Sequence, residues 1–200
     1  MKQFIFKASL LLVIVFVTCS LYSQVTPIPA FVPPLGIKCN GQQYWKLKTL
    51  SDAEGKQINL KATPTPMTIK ALCNVKRPSV TRPQTRWPLE KNLITIQCTI
   101  DTSGYEEDGD IHIVIRDLSK KMTMVAEIPN PICSNVKSSP IFLMIQTAFN
   151  TYKTLSAENT KFSGKFEITG TPFFDKKHNG VGAAPTMIEI HPVIRIRKVS

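Results

Sequence analysis

The chain contains three histidines, and each has a carboxylate close to it in sequence. Asp110 and His112 are two residues apart, and so are Glu189 and His191. Residues two apart on a β-strand point to the same face of the sheet, so each pair would act as a unit. A carboxylate beside an imidazole suits either general acid–base catalysis or coordination of a divalent metal.

The third histidine begins a glycine-containing loop, residues 178–182, shortly after an aspartate. These patterns define two sets of candidate residues. The predicted catalytic residues are His112, His178 and Asp175. The predicted ligand-binding residues are Lys176, Lys177, Asn179, Glu189 and His191.

An acidic turn provides candidate metal ligands. Asp108 and Asp110, with Glu127 on a later strand, predict a site for a divalent cation, calcium or magnesium. The turn is not an EF-hand, because that motif requires a twelve-residue loop closed by a glutamate. Two structural interpretations stay open: a solvated turn in which Gly109 supplies a positive φ, and acid–histidine pairs that only tie strands together. His191 and Pro192 would then form a bulge in the last strand.

Hydrophobic periodicity predicts the elements that must position these residues. Apolar and polar residues alternate over residues 94–100, 111–116 and 122–128, which is the period of a half-buried strand. Pro129 and Pro131 end the third of these strands.

A helix and two more strands follow. Ser139-Pro140 begins one amphipathic helix of about four turns. A fourth strand is predicted over residues 165–169, where Gly170 and Pro172 end it, and a fifth over residues 187–199.

The predicted order, β-β-β-α-β-β, is that of the OB-fold, a five-stranded barrel. We therefore predict a mainly β chain with an OB-fold-like barrel, and an open α+β sheet of the same order is the alternative. In the barrel, the start of the second strand, the end of the third and the loop between the fourth and fifth lie around one rim. That rim would gather Asp108, Asp110, His112, Glu127, Asp175 and His178.

The chain also divides into segments of different character. Residues 1–23 have the three-part layout of a secretory signal peptide, so we expect a secreted or periplasmic protein. Lipidation at Cys19 is the disfavoured alternative, because no small-residue box precedes that cysteine. Residues 24–43 are expected to form a proline-rich linker, and residues 44–90 an extension packed on the barrel of residues 91–200. Strand-like pieces of the extension are predicted over residues 44–50, 57–60 and 67–72.

Four cysteines lie beyond the leader, at Cys39, Cys73, Cys98 and Cys133. Export would let them form disulfides, and four cysteines allow three connectivities between which the sequence does not choose. Cys98 also fits the role of a small core residue. No apolar run after the leader approaches the ~18–20 residues that span a bilayer, so no stable transmembrane anchor is expected.

The net charge of +11 favours a polyanionic partner such as nucleic acid, and OB-folds bind oligonucleotides or oligosaccharides. Our first interpretation is accordingly a non-catalytic binding module. The sparse aromatic residues argue against extensive base stacking. A metal-dependent phosphodiesterase and a structural protein of the cell envelope are the alternatives.

Several motifs resemble a family of secreted bacterial proteins of uncharacterised activity. They are Asp-Gly-Asp-Ile-His-Ile-Val-Ile at 108–115, Ala-Glu-Ile-Pro-Asn-Pro at 126–131, Phe-Phe-Asp at 173–175 with His178, and Ile-Glu-Ile-His-Pro-Val at 188–193. The resemblance covers roughly residues 44–195 and implies a fold but no reaction.

The order of strands and acidic motifs also resembles, more distantly, the calcium-dependent thermonuclease (micrococcal-nuclease-type) OB-fold. That resemblance implies that Asp110 is a calcium ligand and that Glu127 stands where the second ligand would be. The chain departs from the family at Asn130, near the place of the general base, because an amide cannot take a proton. It also has no arginine in the third strand or in the loop between the fourth and fifth. A nuclease of this type would need His112 or His178 as its base.

Overall fold

The computed structural model describes residues 38–39, 44–79, 85–158, 162–177 and 179–199. The expected signal peptide, the lipidation alternative at Cys19 and His178 lie outside these residues, as does most of the expected linker.

The described strands form one sheet that closes into a barrel. The strands are β1 (Thr65–Met67), β2 (Ile94–Tyr105), β3 (Ile111–Arg116), β4 (Thr123–Ile128), β5 (Lys165–Phe174) and β6 (Ile188–Val199). Their order is β1-β2-β3-β4-β6-β5, and a second pairing of β5 with β2 closes the barrel. β4 and β6 run parallel, whereas the other pairs within the barrel are antiparallel. The predicted OB-fold-like barrel is confirmed.

The alternation of side chains explains why these segments are strands. Apolar residues at alternate positions of the three predicted segments are fully buried, among them Ile96, Cys98, Ile113, Ile115, Met124 and Ile128. β2 is longer than predicted because two neighbours share it: residues 94–98 pair with β5, and residues 99–105 pair with β3. It can therefore bend from one side of the barrel to the other.

The prediction that Gly170 ends the fourth barrel strand is wrong, because β5 continues to Phe174. Two register shifts with β6 place His191 and Pro192 opposite the single residue Thr171, which forms a bulge in β6. At Gly170 an added Cβ would overlap the carbonyl oxygen of Pro192. The glycine is needed because the two backbones approach closely there, and the strand bends instead of ending.

The described residues also form helices. They are α1 (Trp45–Lys48), α2 (Ile69–Cys73), α3 (Ser134–Lys137) and α4 (Phe142–Glu158). α4 is the predicted helix, and the Ser139 hydroxyl accepts the amide hydrogen of Ile141 at its start. The strand-like interpretation of residues 44–50 and 67–72 is wrong, because α1 and α2 occupy most of these segments. The piece at 57–60 is likewise no strand, since a 3₁₀ turn ends at Gln57.

The segment before the barrel is fixed to it by polar contacts. The Glu90 carboxylate accepts the amide hydrogen of Phe174 at 2.8 Å, and the Ser139 hydroxyl donates to the Thr49 carbonyl at 2.8 Å. Inside this segment the buried Arg86 guanidinium forms an ion pair with Asp52. These contacts hold α1 over the barrel end where the acidic residues converge.

Two of the four candidate cysteines form a disulfide. Cys39 is bonded to Cys133, which immediately precedes α3. Cys73 and Cys98 are buried free thiols, so they do not form a second disulfide. Cys98 points into the barrel, and burial raises the pKa of its thiol to about 12. Within the described ranges, no helix has the length and apolar character needed to cross a membrane.

Candidate functional site

Six polar side chains meet at one end of the barrel, and we call them the rim cluster. They come from α1, from the starts of β3 and β6, and from the end of β4. Its members are Lys48, Asp110, His112, Glu127, Glu189 and His191.

Strand register brings these side chains together. His112 of β3 lies directly opposite Glu127 of β4. β4 and β6 run parallel with Ala126 beside Ile190, so the next residue on each strand, Glu127 and His191, are neighbours as well. Glu127 is therefore shared between both histidines.

His191 is the most buried member of the rim cluster, with 0 % of its surface exposed. Its Nδ1 lies 2.7 Å from Oε2 of Glu127 and 3.2 Å from Oε1 of Glu189. Its Nε2 lies 3.6 Å from Oδ2 of Asp110 and has no hydrogen-bond partner in the described part of the chain. Burial and Lys48 both lower the pKa of His191, but the carboxylates outweigh them and raise it to about 9.

Glu127 is the centre of the rim cluster, and both of its oxygens are occupied. Oε1 lies 3.3 Å from Nδ1 of His112, and Oε2 contacts both His191 and, at 3.5 Å, Nζ of Lys48. Burial alone would raise the pKa of Glu127. The adjacent charges of Lys48 and His191 outweigh it and hold that pKa well below its usual value.

Lys48 is a member that the sequence analysis missed. Its Nζ lies 3.8 Å from Oε1 of Glu189 and 5.5 Å from the centre of the Phe173 ring, in addition to its contact with Glu127. Burial lowers the pKa of Lys48, but Glu127, Glu189, Asp175 and Asp110 outweigh it and raise that pKa. Seventy-nine residues separate Lys48 from Glu127, so no local pattern could have indicated the contact.

Asp110 is held at the inner side of the acidic turn and is 1 % exposed. Its Oδ1 accepts the amide hydrogen of Asn130 at 3.0 Å. The Asn130 side chain donates to the Gly109 carbonyl and accepts the amide hydrogen of Ile132, so it fastens the turn to the end of β4. Burial raises the pKa of Asp110 to about 7, and burial with the charge of Glu127 does the same for Glu189.

His112 lies at the outer edge of the rim cluster. Its Nδ1 is 3.0 Å from Oε1 of Glu106 as well as near Glu127, and its Nε2 is 3.2 Å from the carbonyl oxygen of Val181. Both ring nitrogens thus face acceptors, and the two carboxylates raise the pKa of His112 to about 10. A protonated imidazole cannot take another proton, so this geometry does not suit a general base at neutral pH.

A cleft of about 450 Å³ lies beside His112, between the β2–β3 loop and the β5–β6 loop. Gly182 has φ +79°, and an added Cβ would overlap the Val114 side chain, so glycine lets the second loop lie against β3. The cleft is lined by Thr102, Ser103, Gly104, Tyr105, Glu106, His112, Val114, Gly180 and Val181.

The other predicted site residues are distributed around this end of the barrel. Asp108 is half-buried and accepts the amide hydrogen of Asp110, while the charge of Asp175 contributes to the raised pKa of Lys48. Lys176, Lys177 and Asn179 are exposed on the β5–β6 loop. Glu189 and His191, which we predicted to bind ligand, lie in the interior, where they cannot touch a large ligand at the surface.

The described arginines are engaged away from the rim cluster. Arg86 pairs with Asp52, Arg116 with Asp101 and Arg197 with Glu167. Arg77 donates a hydrogen bond to the carbonyl oxygen of Thr186, and Arg195 donates one to the hydroxyl of Thr169. Among the residues that the structure describes, no arginine is therefore placed to hold a phosphate at the rim cluster.

The rim cluster does not fit the calcium ion that the thermonuclease resemblance implies. Calcium takes six to eight oxygen ligands. Here Glu127 already contacts His112, His191 and Lys48, and Oδ1 of Asp110 is occupied by the Asn130 amide. Nε2 of His191 lies 3.6 Å from Oδ2 of Asp110, and a histidine nitrogen is not a typical ligand of calcium.

No protein-family model matches the chain, and no curated protein sequence does so either.

Proposed function

We propose that this chain is a non-catalytic binding module that takes an oligosaccharide into the cleft beside β3. The main support for this proposal is the position of the cleft, because OB-folds bind extended ligands across the corresponding strands and their flanking loops. Tyr105 and Val181, which are 36 % and 74 % exposed, give it an apolar surface. Thr102, Ser103 and Glu106 supply oxygen atoms that can bond to sugar hydroxyls.

The lining favours an oligosaccharide over a polyanion. Nucleic-acid binding depends on lysine and arginine contacts to phosphates. Among the described residues that line the cleft there is neither, and the imidazole of His112 is paired with Glu106 at 3.0 Å. Lys176 and Lys177 lie on the adjoining loop outside the lining. A neutral, hydroxyl-rich ligand does not depend on such contacts to phosphates.

Titration calorimetry with a panel of neutral oligosaccharides tests this proposal. We expect saturable binding that is insensitive to salt, and a loss of affinity of about tenfold or more in Tyr105→Ala, because the ring would lose its contact with the sugar face. Leu143→Ala is the matched control, since Leu143 is exposed on α4 and does not line the cleft. Salt-sensitive binding of single-stranded DNA or RNA without sugar binding would contradict the proposal and favour a polyanion partner.

A metal-dependent phosphodiesterase is the second candidate. It is favoured by the convergence of Asp110, Glu127 and His191, whose possible ligand atoms all lie within 4.8 Å of one another. If it is correct, the chain cleaves labelled single-stranded DNA or RNA in the presence of a divalent metal. The double variant Asp110→Asn, Glu127→Gln would then lose at least about 100-fold of the cleavage rate. Unchanged cleavage in that variant would exclude the candidate.

We also propose that the protein acts outside the cytoplasm. The disulfide between Cys39 and Cys133 supports this location, because such bonds persist in oxidising compartments. Fractionation of the source cells, followed by thiol labelling of the recovered chain, tests it. Recovery of the chain from the cytoplasm with both cysteines reduced would contradict it.

A further inference from the structure

We propose that Asp110 and His191 bind a zinc ion inside the rim end of the barrel, with Glu127 orienting the imidazole. This site would be separate from the cleft; the phosphodiesterase candidate would use the same residues, but the zinc site requires no cleavage activity. It differs from the calcium site implied by the thermonuclease resemblance, both in its histidine ligand and in the class of metal.

The hydrogen bonding of His191 is that of a metal ligand. A histidine that binds a metal through one ring nitrogen donates the other N–H to a carboxylate or carbonyl, which fixes the ring. Nδ1 of His191 faces Glu127 and Glu189 at 2.7 and 3.2 Å. The free nitrogen, Nε2, is fully buried and, among the described residues, has no hydrogen-bond partner. This nitrogen is therefore available to bind a metal ion.

The distance between the two proposed ligand atoms fits a shared metal. Nε2 of His191 and Oδ2 of Asp110 are 3.6 Å apart. A direct N–H···O hydrogen bond would bring them to about 2.7–3.2 Å. Two ligands that each bind a tetrahedral zinc at about 2.0–2.1 Å lie about 3.4 Å from each other. The observed separation is closer to the second arrangement.

The buried charge also favours a divalent cation. Asp110, Glu127 and Glu189 are all buried carboxylates, and Lys48 supplies one positive charge among them. Zinc binding would displace the proton of His191, and without the charge of the ion two negative charges would then remain uncompensated in the interior, which is costly. A divalent ion balances them. An imidazole donor beside carboxylates selects zinc or another transition metal over calcium or magnesium.

The first test uses the untagged, disulfide-oxidised chain after removal of metals with EDTA. Calorimetric titration with Zn²⁺ should give one site and release a proton, while Ca²⁺ and Mg²⁺ should not compete for it. His191→Gln should weaken zinc binding by more than about 100-fold, and Glu127→Gln by about 10- to 100-fold. Glu167→Gln is the control for the carboxylate substitution, because Glu167 pairs with Arg197 outside the rim cluster and its replacement should leave the affinity unchanged. Absence of zinc binding, or unchanged zinc affinity in His191→Gln, would overturn the proposal.

A second test does not require His191 to be changed, in case its replacement prevents folding. The chain has three histidines, so the double variant His112→Gln, His178→Gln retains His191 as its sole imidazole. Cu²⁺ bound in place of zinc should then show coupling to an imidazole nitrogen in pulsed electron paramagnetic resonance. Bound Cu²⁺ without that coupling would overturn the proposal, whatever the outcome of the oligosaccharide titrations.

Discussion

At the scale of single residues, Lys48 supplies the rim cluster with a cation from the chain itself. Its ammonium lies between Glu127 and Glu189 and above the Phe173 ring, at the barrel end where three carboxylates are buried. Buried charges stabilise a fold only when their partners stay in place, and the loss of one partner leaves the other uncompensated. Lys48 is therefore expected to be indispensable for stability.

Lys48→Met tests this role. Methionine keeps much of the apolar chain but removes the charge, so we expect a loss of about 3 kcal/mol in the free energy of unfolding at pH 8. The loss should be smaller at pH 5, because the pKa of Asp110 and that of Glu189 are both raised to about 7 and the two groups would then be protonated. Urea denaturation measures both values. Lys46→Met is the control, since Lys46 is exposed on the same helix; equal effects of the two substitutions would contradict the prediction.

At the scale of elements, the bulge of β6 shapes the rim cluster, because it changes the direction of the strand at His191. Gly170 of β5 permits it, since any side chain there would overlap the Pro192 carbonyl. We expect Gly170→Ala to destabilise the fold by about 2–3 kcal/mol, the cost typical of overpacking. Gly104→Ala is the matched control: Gly104 is likewise a glycine within a barrel strand, β2, but an added Cβ there meets nothing within 4 Å. Comparable unfolding midpoints for the two variants would contradict the prediction, because the close approach of Gly170 to the Pro192 carbonyl would then not exclude a side chain.

Elements with long, regular alternation could be predicted from the sequence, and short ones could not. β3 and β4 have the predicted positions because each keeps one apolar face over six residues. The helices α1 and α2 have only four and five residues, which is too few to show a helical period. Their conformation depends on tertiary contacts and on caps such as Thr68, whose hydroxyl accepts the Ala71 amide hydrogen. The strand order was enough to predict that acidic residues and histidines meet at one end of the barrel. The place of Lys48 in the rim cluster could not be predicted, because it depends on packing between distant segments.

At the scale of the whole molecule, the rim cluster determines how stability depends on pH. Asp110 and Glu189 have pKa values of about 7 in the fold, above their ordinary values of 3.8 and 4.5, so the folded state retains protons that the unfolded chain releases. Stability therefore falls as the pH rises from about 5 to about 7. His112 and His191, raised from 6.5 to about 10 and about 9, extend the fall to about pH 10. Below about pH 4.5 the trend reverses, because Glu127 must then be protonated.

Thermal unfolding of the metal-free chain across pH 4 to 10 measures this dependence. We expect the highest midpoint in mildly acidic solution, near pH 5, and a continuous decline toward pH 10. His112→Gln should flatten the part of the curve above pH 6.5, because the variant lacks one of the two groups that titrate there. A midpoint that rises between pH 5 and pH 8 would contradict the prediction.

The disulfide acts on a large part of the chain, because Cys39 and Cys133 are 94 residues apart and their bond closes a loop that contains α1, α2 and the strands β1 to β4. A loop of that length loses much of its freedom in the unfolded state, so Cys39→Ser with Cys133→Ser should cost about 4 kcal/mol of stability. Reductant should lower the unfolding midpoint of the parent chain in the same way but leave that of the variant unchanged. Cys73 and Cys98 are buried, and burial raises the pKa of each thiol, so neither should react with a thiol reagent in the folded variant. Rapid labelling of either cysteine under native conditions would instead mean that the barrel opens locally without the disulfide.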